Sequence, residues 1–165
     1  MPRHALLRVV AGVVMLTGGV APALGGSAGA TAATKNLTKD ELIRAGDDVC
    51  RQADELLGDL DSSFFVDLPV DDVPDADTLD AFAAELEPIV QQEIDSIRAL
   101  APPPSDKKRI TKLLDAAQHG LDKIADDPSL VLEAGPNPFA KADRLARKYG
   151  FEVCGAERDA LAGRP

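Results

Sequence analysis

The sequence predicts an all-α, single-domain antiparallel bundle of about four helices, closed by one disulfide between Cys50 and Cys154. Three observations predict it. Trp is absent and Tyr occurs once in 165 residues, so Leu, Ile, Val and Ala must fill the core, a composition that favours helices. Apolar residues recur at three- and four-residue steps in four segments, each bounded by cap residues or prolines. The chain has two cysteines, near opposite ends of the segment these helices occupy.

Residues 1–32 read as a signal peptide. Arg3 and Arg8 stand before an apolar run from Val9 to Leu16, and a Gly/Ala/Ser/Thr-rich stretch ends in the A-x-A sites 28–30 and 30–32. Gly18, Gly19, Pro22, Gly25 and Gly26 interrupt the run short of the roughly 20 apolar residues of a spanning helix. Cleavage is expected after Ala32, or else after Ala30, and the secreted or envelope-space product is expected not to insert into a membrane. Export in turn predicts that Cys50 and Cys154 oxidise with each other.

Residues 33–37 are expected to be a disordered segment before the helical domain, 38–155. Thr38 and Glu41 have the spacing of a capping box, which starts the first helix. Leu42, Val49, Ala53, Leu56 and Leu60 form its apolar stripe, with Cys50 on the edge. Phe64 and Phe65 then open an apolar linker, 64–70, that caps one end of the core or, if exposed, contacts a partner. A second helix is expected from about Thr78 to Leu100, kinked or broken at Pro88 and ended by Pro102, Pro103 and Pro104. The third, capped by Ser105, carries Ile110, Leu113, Leu114, Ala117, Leu121 and Ile124 and stops before Asp127 and Pro128, with a short turn at 129–133. The fourth has Asn137 as its cap, Pro138 at its first position and Gly150 past its end. From Phe151 the chain is expected to run back and bring Cys154 to Cys50, leaving a flexible tail, 156–165.

Charge excludes some partners. All 28 Asp and Glu but only 16 of the 18 Lys and Arg lie beyond residue 33, so the exported chain carries a net charge of −12. Such a polyanion repels phosphates, which argues against nucleic acid and acidic lipid surfaces and leaves room for a basic partner. The product is expected to be a monomer.

No catalytic constellation emerges. His4 lies in the leader, so His119 is the exported chain's one imidazole, on the solvent side of the third helix at about 100° per residue. There is no G-x-S-x-G elbow, phosphate loop, dinucleotide fingerprint or H-E-x-x-H motif. No metal and no cofactor is predicted. The acidic segment 71–80 lacks the central glycine and terminal Glu of a calcium loop and is better explained by loop and helix-cap duty. Glu93 projects into the apolar arc of the second helix, where a carboxylate must be paired or neutralised. A kink at Pro88 that carries it to the surface, or a structural ion pair, is the expected explanation.

Four features together carry a resemblance: Asp48-Val49-Cys50 in the first helix, Ala-Leu-Ala-Pro-Pro-Pro at 99–104, Asp-Asp-Pro at 126–128, and Arg-Lys-Tyr-Gly-Phe-Glu-Val-Cys-Gly at 147–155. With them the chain resembles the small exported helical proteins and lipoproteins of unknown function from high-GC actinobacteria, over most of its exported length. The resemblance implies a helical domain with one disulfide and implies no activity. Members with a lipobox are tethered, whereas no cysteine stands at this cleavage region. The leading expectation is therefore a non-enzymatic extracellular or envelope interaction module. The alternative is a carrier holding a small apolar ligand, lipid or haem-like, among Phe64, Phe65, Glu93 and Tyr149. An enzyme working through carboxylates alone is the third.

Overall fold

Thr38 opens the first helix through a complete capping box. The Glu41 N–H donates to Thr38 Oγ1 at 3.3 Å and the Thr38 N–H donates to Glu41 Oε2 at 2.8 Å. From this cap α1 runs unbroken over Lys39–Phe65, 27 residues and about 40 Å. Its buried line passes through Leu42, Gly46, Cys50 and Ala53. Cys50, expected on the edge of the stripe, is fully buried, whereas Leu56 is 49% exposed. Phe64 and Phe65, expected in a linker, form the last turn of α1. The shift has a simple cause. Gly46 and Asp47 do not read as apolar, so the hydrophobic repeat hides the true centre of the face.

A computed structural model describes residues 35–69, 72–132 and 137–156, all of them in one compact unit, Ala33–Pro165. The expected leader, 1–32, and the tail beyond Ala156 lie outside the described residues. Leu37, in the segment expected to be disordered, donates its N–H to Ala101 O at 2.8 Å and packs on the core.

The second helix, α2, spans Ala76–Ala99, and Asp75 caps it by accepting the Thr78 N–H at 2.7 Å. Hydrogen bonding to Thr78 holds the Asp75 carboxyl below its ordinary range. The helix continues through Pro88, so the expected break into two helices does not occur. Pro88 has no N–H to give the Ala84 carbonyl, but Ala84 is exposed, so water can serve that oxygen and the missing bond is tolerated. Glu93 stays on the apolar arc and is buried, 9% exposed, instead of being carried to the surface.

The third helix, α3, covers Lys107–Asp126, with Asp106 and not Ser105 at the cap position. A 3-10 turn, Pro128–Val131, follows where a short turn is expected. The fourth helix, α4, is short, Ala140–Tyr149. Asn137 sits too early to be its N-cap and instead accepts the Phe139 N–H in the preceding turn at 2.8 Å. Gly150 ends α4 at φ 118°, a left-handed conformation that glycine adopts without strain, and its N–H donates to Ala146 O at 3.0 Å.

Successive helices pack on each other, α1 on α2, α2 on α3 and α3 on α4, and the 3-10 turn rests on α2 and α3. The start of α1, end of α2, start of α3 and end of α4 thus share one end of the bundle. The other end is closed by an aromatic trio. The Phe65 and Phe82 ring centroids are 4.8 Å apart, and Phe64 meets Phe82 edge-on at 5.5 Å.

The tail from Gly150 lies on α1 because Gly46 gives it room. A Cβ at Gly46 would overlap ring carbons of Phe151, which is buried. Gly46→Ala should therefore destabilise the protein by about 1–3 kcal/mol, the usual cost of overpacking, seen as a lower thermal midpoint with unchanged helix content.

Candidate functional site

The groups that chemistry would most readily use are gathered at the junction of the tail with α1, and the fold uses them. Cys50 and Cys154 form a disulfide across 104 positions, with Cα atoms 5.2 Å apart, and no free cysteine remains. Beside it lies Asp47, a buried carboxylate absent from the sequence-derived candidates. Its Oδ1 accepts the backbone N–H groups of Glu152, Val153 and Cys154 at 3.2, 2.9 and 3.1 Å, and its Oδ2 accepts that of Glu152 at 3.1 Å. One side chain thus satisfies three consecutive donors of an irregular segment that has no helix to satisfy them. Arg147 fastens the end of this segment, donating to Gly155 O at 2.6 Å.

A second buried carboxylate works at the same end of the bundle. Asp106 Oδ2 accepts the Tyr149 hydroxyl at 2.9 Å, joining the start of α3 to the end of α4, while Lys39 Nζ lies 5.0 Å from the Tyr149 ring centroid. Burial pushes the Tyr149 hydroxyl up to about 12, aided by the hydrogen bond to Asp106 and by its charge, with Arg109 opposing. The folded state thus prefers the neutral phenol. The associated stability is complete below the ordinary tyrosine value of 10 and is lost as pH rises from 10 toward about 12. Tyr149→Phe should abolish this alkaline loss and lower stability at neutral pH by about 1–2 kcal/mol. Denaturant midpoints of both proteins across that alkaline range check it.

Glu93 and Asp143 line one cavity of about 40 Å³ between α2, α3 and α4, together with Ile97, Leu114, Phe139 and Cys154. Asp143 also accepts from Asn137 Nδ2 at 3.1 Å. This space has room for water, but a drug-sized ligand needs a pocket of about 300–1,000 Å³.

The four sequence-predicted contact residues are not brought together. Phe64 and Phe65 end α1, whereas Tyr149 lies over Lys39 at its start, about 39 Å along the helix. Glu93 lies between, at the small cavity. His119 is exposed on α3. In the acidic segment 71–80, Asp75 serves as a helix cap, and Asp71 lies outside the described residues. Among the described residues, no group of three or more His, Cys, Asp or Glu is placed to hold a metal ion. None of the described helices is long and apolar enough to cross a membrane.

Charge is unevenly distributed. Residues 52–97, from the second half of α1 through most of α2, hold fourteen Asp and Glu and no Lys, Arg or His. Asp115, Asp122, Asp126 and Asp127 extend the acidic region along the end of α3, where Lys123 is the one Lys or Arg. The cations instead occupy the start of α3 (Lys107, Lys108, Arg109, Lys112) and α4 (Lys141, Arg144, Arg147, Lys148). Between α2 and α3, at the acidic end, runs an open groove of about 480 Å³.

Compared with protein-family models, with curated proteins and with solved structures, the chain matches none.

Proposed function

We propose that this chain is an exported, non-enzymatic module that works by binding a partner outside the cytoplasm. The observation that carries the reading is the acid-only stretch 52–97, which gives the second half of α1 and most of α2 a single sign of charge. A field of one sign raises the encounter rate with oppositely charged partners and selects against others. All three large hydrophobic side chains exposed among the described residues, Leu56, Val66 and Val73, fall in the same stretch. Apolar contacts in an acidic surround suit a protein surface.

The groups an enzyme would need are otherwise engaged. Both thiols form the disulfide, Asp47 holds the tail, and Asp106 holds Tyr149. A carrier of lipid or haem has less support, since Phe64, Phe65, Glu93 and Tyr149 do not share a cavity.

The test is affinity capture from envelope extracts of the producing cell, with the oxidised protein immobilised through its C-terminus. The expected result is a defined partner, retained at low salt and released as ionic strength rises. Recovery of the purified protein with bound lipid or visible absorption, and no retained partner, would replace this reading with the carrier.

A further inference from the structure

The geometry points to the groove between α2 and α3 as the docking site for a cationic, amphipathic segment of a protein partner. This rests on the interaction-module reading and names the surface and the chemistry it takes. The α2 wall is Asp80, Ala83, Ala84 and Glu87, spaced three, four and seven residues from the first, so all four share one helix face. The α3 wall is Leu121, Ile124, Ala125 and Asp126, with Pro128 of the 3-10 turn closing one end.

The groove exists because alanines stand where longer side chains would fill the space between the helices. Ala83, Leu121 and Ile124 are buried and form an apolar floor, while Ala84 and Ala125 leave it open to solvent. The rim is acidic. Asp80, Glu87 and Asp126 are all exposed, and among the described residues no cation lines the groove.

Pro88 adds a hydrogen-bond acceptor to the α2 wall. Lacking an N–H, it leaves the Ala84 carbonyl without its usual helical donor. An apolar floor, three carboxylates and a spare carbonyl together fit a segment that inserts a Leu-like side chain and sets Lys or Arg on the rim. This is the helix-in-groove mode with the charge pattern reversed between partner and site. An acidic helix is repelled, and a purely cationic chain leaves the floor unfilled.

The test uses the oxidised protein and an amphipathic helical peptide of about five turns built from Leu and Lys, followed by backbone amide shifts. Saturable binding should shift amides of residues 80–87 and 121–126. Filling the floor with Ala84→Trp and Ala125→Trp should weaken binding about tenfold or more, as should reversing the rim with Asp80→Lys and Glu87→Lys. Lys108→Glu, at the opposite end, should leave it unchanged. Each variant is checked for unaltered helix content, and the two pairs are independent, so either one that folds decides the matter.

Three outcomes overturn the assignment: shifts that map elsewhere, equal binding of polylysine with no effect of the tryptophans, or equal binding of a Leu/Glu peptide. The module reading fails separately. If groove variants still capture the envelope partner, the groove is wrong and the module stands. If the wild type captures nothing, the module itself is wrong.

Discussion

Replacing both cysteines, with Cys50→Ser and Cys154→Ser together, should lower the unfolding free energy by about 4–5 kcal/mol, the largest effect expected of any change in this chain. The disulfide closes a loop of 104 positions, and chain entropy lost by the unfolded state grows with loop length. Its consequence should be local as well as global. The last helix has only ten residues and packs on α3, and beyond it Phe151 and the tail reach α1 with no regular structure of their own. Without the crosslink this segment should open before α1, α2 and α3 do. Urea denaturation should show a lower midpoint and a steeper dependence on urea, because the uncrosslinked unfolded chain exposes more surface. Exchange of the Gly150, Phe151 and Cys154 amides should accelerate most.

Asp47→Ala should cost about 2–4 kcal/mol, because it leaves the backbone donors of half-buried Val153 and Cys154, and that of Glu152 beside them, without their acceptor. Asp47→Asn keeps one acceptor oxygen and should cost less. The same variants should speed reduction of the disulfide by dithiothreitol, since the carboxylate and the disulfide hold adjacent points of one tail. If Asp47→Ala changed stability by under about 0.5 kcal/mol, the value expected of an ordinary surface site, the tail would have to be anchored by the disulfide alone.

The two predictions expose what the sequence could and could not convey. Several signals complete within a few residues are legible, although the local cap signals of Ser105 and Asn137 point to the wrong residues. Thr38 with Glu41, Asp127 with Pro128, and Gly150 each set a boundary through local backbone chemistry, and the two cysteines could pair only with each other. Signals whose partner is remote are not. Asp47 finds its donors about 105 positions away, and Asp106 finds Tyr149 43 positions away, so among 28 acids neither differs in appearance from a solvated one.

Glu93 shows a mixed case. Its place on the apolar arc is readable from spacing, but its burial is not, because the sequence leaves open whether the helix continues past Pro88. The groove was hidden for another reason. Alanine counts as apolar in any periodic pattern, yet at 83, 84 and 125 it leaves volume unfilled. The gap appears only when the two helices are set side by side.

The thiols of this helical bundle are spent on closing its own tail, and we propose that the bundle is exported. The intact mass and free-thiol content of the denatured, unreduced protein, isolated from the producing cell's extracellular fraction, test it most directly. The predicted result is a chain beginning just after Ala32 or Ala30 with no titratable thiol. A chain that keeps its first 30 residues and carries two free thiols would contradict it.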